Sequence, residues 1–278
     1  MTMNSSSLPP LADTGTADTL PASVSLAPLP ARAEALEAEA PAADAGVPRH
    51  IALVLDCPRQ ADAAGAVEAL RQMVAGCRER GVRRLSVCVP APQNGSAAWA
   101  SVLQAWQQYV LAEGVALAAK GIRLGALNPA GDGALAQCHN GSKGAARAFL
   151  RALALAAKTP PRVERLCVQF GVGCGGRAEL LAAAARLARR AAAGRLEPSE
   201  ITAGQFEACF ASRDVPQVDL LIRTGGSQQL SDFLMWQAAY AELLFMDVPW
   251  AQFRREHFKA ALDDYARRRR TFGALPEA

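Results

Sequence analysis

An aspartate closing a short apolar run, an arginine and two glycines closing another, a Gly-Gly-Arg turn and a late glutamate are the groups in this sequence suited to chemistry. The run IALVL ends at Asp56. A carboxylate leaving a strand can hold a divalent cation beside a diphosphate, or it can cap the helix that follows. DLLI runs straight into Arg223-Thr224-Gly225-Gly226. An arginine there either pairs with phosphate oxygens, with the glycine amides open to the anion, or serves a structural ion pair. Cys174-Gly175-Gly176-Arg177 turns onto a long helix, and helix N-terminal amides receive anions. Ser231 opens a short helical pattern whose apolar stripe, Phe233, Trp236 and Tyr240, reads as core. Glu242 sits at the lip of the last strand, where a carboxylate needs a partner or an ion.

For these groups to meet, the chain must fold so that strand ends come together. Short β-rich runs at 51–55, 85–89, 122–126, 166–170, 218–222 and 243–246 alternate with helical patterns at 63–80, 97–120, 143–158, 178–193, 201–210 and 255–270. Continuous apolar strands separated by helices predict an α/β fold: a single, mostly parallel six-stranded sheet flanked by helices. Such sheets bind ligands at the C-terminal ends of their strands. That rule gathers Arg177, Arg223 and both carboxylates, Asp56 and Glu242, at one edge.

Residues 1–47 are rich in Ala, Pro, Ser and Thr and lack hydrophobic periodicity, which predicts a disordered tail before an ordered domain over 48–278. The tail carries six acids and one base, leaving 29 bases against 20 acids, or +9, for the remainder. A basic domain suits an anionic ligand or an anionic membrane surface. Nucleic acid is disfavoured, since aromatics are 6% and no reading motif appears. Seven cysteines without a CxxC pair fit reduced thiols in a cytosol rather than disulfides or a zinc site. No apolar run approaches the roughly 18 residues needed to span a bilayer, and the first 31 residues lack the basic start of a secretory signal. The expected location is cytoplasmic. The closing run Arg267–Arg270 reads either as cations favourable at a helix C-terminus or as a peripheral contact with the inner membrane face.

The segments PRHIALVLD, CGGRAE, DLLIRTGG and SDFLMWQAAYAELLF resemble the cis-prenyltransferase family, whose members add isopentenyl diphosphate to an allylic diphosphate with magnesium. The resemblance covers roughly residues 48–273 and is strongest over 218–250. It implies that Asp56 is a metal and catalytic residue and that Asn94, within APQNG, takes part in catalysis. It further implies that Arg223 and Ser231 grip a diphosphate, and that Glu242 helps bind Mg2+.

The chain also departs from the family pattern at several positions. Where the family has a glycine-rich loop after the aspartate, this chain has Cys57-Pro58-Arg59-Gln60. Proline removes an amide donor, leaving Arg59 as a substitute cation for substrate. A second diphosphate arginine is replaced by Gln229, and the closing Arg-x-Gly reads Thr271-Phe272-Gly273 beside Arg270. The resemblance thus implies a divergent isoprenyl transferase, uncertain as an enzyme, that acts on isoprenoid diphosphates as a homodimer. The alternatives are a non-catalytic subunit forming a heterodimer with an intact paralogue, or a terpenoid-diphosphate enzyme of another reaction type.

Overall fold

The structure, a computed structural model, describes residues 46–56, 62–89, 97–127 and 140–272. Most of the tail expected over 1–47 lies outside the described residues. Val47 packs against the main core.

Six strands form one sheet: β1 (His50–Val54), β2 (Arg84–Val89), β3 (Ile122–Ala126), β4 (Leu166–Val172), β5 (Leu220–Arg223) and β6 (Glu242–Phe245). Their order is β3-β4-β2-β1-β5-β6, and every pairing is parallel. The helices are α1 (Ala63–Glu79), α2 (Ala97–Ala119), α3 (Asn140–Ala156), α4 (Gly176–Ala192), α5 (Ala203–Glu207) and α6 (Arg255–Arg267), with single 3-10 turns at Pro198–Glu200 and Trp250–Gln252. β1 is buried along its whole length because strands lie on both sides, helices cover one face, and the non-helical segments carrying Val215, Phe233 and Leu234 cover the other, which is why it reads as a continuous apolar run. Asp62 starts α1 by accepting a hydrogen bond from Gly65 N at 2.8 Å. Gly121 ends the α2 segment at φ +81°, where a Cβ would lie 2.9 Å from Val163 O, so only glycine closes this turn without strain.

Two sequence expectations are corrected. The helix expected over 201–210 is only the short α5. Thr202 and Gln205 form a capping box at its start, and Cys209 and Phe210 leave the helix to bury against Leu187 and Leu196. The stretch from Ser231 is a series of turns rather than a helix, with Leu234 at φ 48° interrupting any helical ladder. Of its aromatic stripe, Phe233 is buried, Trp236 donates to Glu207 Oε1 at 2.6 Å, and Tyr240 is exposed.

The main core lies between the sheet and α1, α2, α3 and α6. Trp106 contacts Trp99, Phe149 and Phe170 with centroid separations of 6.5, 5.9 and 5.6 Å, in edge or tilted geometry. Its indole N–H donates to Ala66 O at 3.2 Å and so ties α2 to α1. Among the described residues, no helix is long and apolar enough to cross a membrane.

His50 at the start of β1 is 1% exposed, with Nε2 at 2.8 Å from Ser86 Oγ and Nδ1 at 3.0 Å from Pro216 O. Burial pushes its pKa down from 6.5 to about 4, because charging the ring would desolvate a cation. The folded state therefore binds fewer protons than the unfolded state between those values. Its contribution to stability is present above pH 6.5 and is lost as pH falls toward 4. Urea denaturation should show about 1.6 kcal/mol lost between pH 6.5 and 5 from this group, by the linkage relation. A His50→Gln variant should lack that component; equal slopes in both proteins would refute it.

Candidate active site

β1 and β5 are neighbours in register, Val54 opposite Arg223, so the residues that follow them emerge side by side. Asp56 is fixed there by two donors to one oxygen. Thr224 Oγ1 donates to Asp56 Oδ1 at 2.8 Å, and the Trp250 backbone N–H donates to the same oxygen at 2.8 Å. Asp56 N donates back to Thr224 Oγ1 at 3.2 Å. Thr224 is fully buried, so its hydroxyl has no competing water. Asp56 Oδ2 has no hydrogen-bond partner among the described residues. One oxygen anchors the carboxylate, and the other accepts no hydrogen bond among the described residues.

Arg223 closes β5 half-buried, and its guanidinium donates to the carbonyl of Gln229. Ser231, Arg223, Asp232 and Cys174 all lie close to the Cys88 thiol at the end of β2. Burial pushes Cys88 up to about 12, which keeps it a neutral thiol and excludes it as a nucleophile at neutral pH. The structure thus brings Asp56, Arg223 and Ser231 to the C-terminal edge of the sheet. Arg177, exposed in the first turn of α4, belongs to the same edge through Asp232.

The amides expected to cradle an anion are occupied. Gly225 N donates to Val248 O at 3.0 Å and Gly226 N to Met246 O at 3.0 Å, so both glycines are bonded to the segment after β6. At α4, Gly176 N donates to Asp232 O at 2.5 Å and Arg177 N to Asp232 Oδ1 at 2.7 Å. The negative group at this helix N-terminus is the protein's own aspartate. These four amides are therefore not open to an anion.

The expected placement of Glu242 at the C-terminal edge is corrected. It is the first residue of a parallel strand and stands opposite Leu220, whereas Arg223 stands opposite Phe245. Three residues at about 3.3 Å each put it roughly 10 Å from the Arg223 level, toward the opposite edge. Its Oε2 pairs there with Arg268 at 3.1 Å. Within one chain it does not join Asp56. Arg59 and Asn94 lie outside the described residues. The closing arginines are engaged as well: Arg268 pairs with Glu242 and Asp264, and Arg270 with Asp219 at 2.7 Å. That argues for the structural reading of the Arg267–Arg270 run. α6 itself stops at Arg267.

Thr224, Asp232 and the backbone of Trp250 were missed as site residues by sequence reasoning. Thr224 alone left a signal, being the polar residue between a strand arginine and a glycine pair. Among the described residues, no group of three His, Cys, Asp or Glu side chains could hold a metal unaided. The donor set fits magnesium in a narrower sense. Asp56 Oδ2 offers one hard oxygen, and Mg2+ is commonly held by one or two carboxylates with the remaining positions filled by water and substrate phosphates.

A parallel α/β sheet with an anchored carboxylate and an arginine at adjacent strand ends is a frame for phosphorylated ligands. The chain belongs to the cis-prenyltransferase family: the family model described as putative undecaprenyl diphosphate synthase matches residues 56–273. It is 33% identical over 255 residues to a ditrans,polycis-undecaprenyl-diphosphate synthase of Pseudomonas putida, covering 87% of this chain and 97% of the relative. It is also 33% identical over 253 residues to an isoprenyl transferase of Rhizobium meliloti, covering 84% of this chain and 95% of the relative. Among solved structures, lavandulyl diphosphate synthase of Lavandula x intermedia in complex with dimethylallyl diphosphate superposes with a TM-score of 0.68 at 22% identity, covering 81% of this chain and 98% of that one. At that identity the likeness speaks for the fold, and it agrees with the all-parallel sheet expected in outline from the sequence.

Proposed function

We propose that this chain is a magnesium-dependent prenyltransferase that condenses isopentenyl diphosphate with a short allylic diphosphate. In that reaction the allylic C–O bond breaks, a new C–C bond forms to the terminal alkene carbon, and diphosphate and one proton are released. The observation that carries the reading is Asp56: two donors on Oδ1 hold it in one orientation while Oδ2 stays available. Arg223 on the neighbouring strand supplies the cation for a diphosphate, and Ser231 and Arg177 stand at the same edge. Magnesium bound with diphosphate would neutralise charge on the leaving group, and Asp56 is the residue that would hold it. Arg223 must release the Gln229 carbonyl to grip a ligand bidentately. Charge-assisted hydrogen bonds favour that exchange. The test is purified protein with Mg2+, labelled isopentenyl diphosphate and a panel of short allylic starters. Labelled product with at least one starter supports the reading, and none with any starter refutes it.

A second reading, a non-catalytic subunit, is favoured by the Cys57-Pro58-Arg59-Gln60 sequence where the family has glycines and by Gln229 in place of an arginine. In that case the chain alone is inactive, and mixing it with an intact paralogue changes that partner's rate. If the chain turns over alone and leaves the paralogue unaffected, the subunit reading fails.

A further inference from the structure

The helices α2 and α3 connect parallel strands and so run the same way, ending together at the N-terminal edge of the sheet, away from Asp56. They approach closely near those ends: a Cβ on Gly114 would lie 3.6 Å from Ala156 Cβ. Beside this contact stand four large aliphatic side chains without cover. Leu111 and Val115, one turn apart on α2, are 51% and 72% exposed, and Leu155 on α3 is 56% exposed. Val163, whose carbonyl meets Gly121 just past α2, is 67% exposed.

Cations surround them. Arg151 and Lys158 flank Leu155 at i−4 and i+3, Lys120 follows α2, and Arg162 precedes Val163. All four are exposed, and none has an ion-pair partner among the described residues. α3 contains no acidic residue. The neighbouring carboxylates Glu113 and Glu164 are already paired, with Arg71 and Arg123 respectively.

We propose that this end of α2 and α3 is a docking face for an anionic phospholipid bilayer. Exposed aliphatic chains gain by entering hydrocarbon, and surrounding Lys and Arg gain by meeting lipid phosphates. A nucleic acid would satisfy the cations and leave the aliphatic chains in water. A bilayer satisfies both groups without demanding a particular constellation of partner residues. The closing arginines, which first suggested lipid contact, are poorer candidates, since Arg268 and Arg270 are paired within the chain. Docking by the α2 and α3 ends leaves the strand-end site on the aqueous side, open to water-soluble diphosphates.

The test is vesicle co-sedimentation of the full chain, which needs no turnover and so stands apart from the prenyl-transfer reading. Binding is expected to vesicles containing phosphatidylglycerol and not to pure phosphatidylcholine, and it should weaken with salt. Arg151→Glu/Lys158→Glu should lower affinity at least twentyfold, at roughly fivefold per charge removed. Val115→Ser/Leu155→Ser should lower it roughly tenfold through lost apolar insertion. Arg269→Glu, an exposed change in the closing arginine run, should leave affinity within about twofold, consistent with an exposed charge outside the contact. Several results would overturn the proposal: no binding to anionic vesicles, equal binding to neutral ones, wild-type affinity in the Arg151/Lys158 variant, or an equal loss from Arg269→Glu. Capture of single-stranded RNA that vesicles fail to displace would overturn it too.

Discussion

Asp56→Asn is expected to lower prenyl transfer by about a hundredfold or more while leaving the fold standing. The substitution keeps an oxygen at Oδ1, so Thr224 and the Trp250 amide retain their acceptor and the local hydrogen bonds survive. What it removes is the negative charge at Oδ2, which would hold the cation of a magnesium diphosphate. Loss of a charge-assisted contact of about 3 kcal/mol corresponds to a factor above 100 in rate. The measurement pairs the initial rate of labelled isopentenyl diphosphate incorporation with a urea midpoint. A near-wild-type rate would remove Asp56 from the mechanism, and a large drop in midpoint would reassign it to structure. Thr224→Val is the companion change. It keeps shape but deletes the hydroxyl that links Asp56 N and Oδ1, so the carboxylate should lose its fixed orientation. Its rate should fall by roughly ten- to a hundredfold, typical for a residue that orients a metal ligand, and Thr224→Ser should restore most of it.

How far the sequence could be read depended on which interaction set each feature. The central strands were legible because buried parallel strands must be apolar throughout, and a run such as IALVL has few other uses, whereas the edge strand β6 is only partly buried. The layout of the site followed the same rule for Asp56 and Arg223, which close neighbouring strands. The rule does not reach Glu242, because it concerns the residue that closes a strand and Glu242 stands at the start of β6 whether that strand begins at 242 or 243. Its sequence neighbourhood, LMWQAAYAELLF, gives no sign of strand direction. The anion cradles failed for a different reason. Whether an amide is open depends on carbonyls far along the chain, Val248 for Gly225 and Met246 for Gly226, and the aspartate Asp232 for the start of α4. Glycine reports that a backbone can approach something closely and does not say what. The docking face was invisible because Leu111, Val115 and Leu155 look like core in any helical pattern. Their exposure follows only from how α2 and α3 sit.

The two glycines after Arg223 should respond very differently to the same change. Both need positive φ, +79° at Gly225 and +76° at Gly226, so alanine pays a similar backbone cost of about 1 kcal/mol at either. They differ in what a methyl group would meet. At Gly225 it would lie 2.2 Å from Asp56 Cβ and 2.7 Å from its Cγ, atoms held by the β1 backbone and by the hydrogen bonds to Thr224 and Trp250. Relief requires moving Asp56 or parting the segment from β1, an overpacking cost of about 1–3 kcal/mol in addition to the backbone strain. Gly225→Ala should therefore destabilise by roughly 2–4 kcal/mol and abolish turnover together, since the displaced residue is the one that holds the site. At Gly226 the nearest atom is Asp247 Oδ1 at 3.3 Å, the end of a side chain that can rotate aside. Gly226→Ala should cost about 1 kcal/mol and leave Asp56 and the reaction rate near wild type. Urea denaturation and initial rates of the two variants side by side separate backbone strain from collision with Asp56. Equal effects at both positions would mean that φ alone, and not the close approach to Asp56, is what the Gly-Gly pair provides.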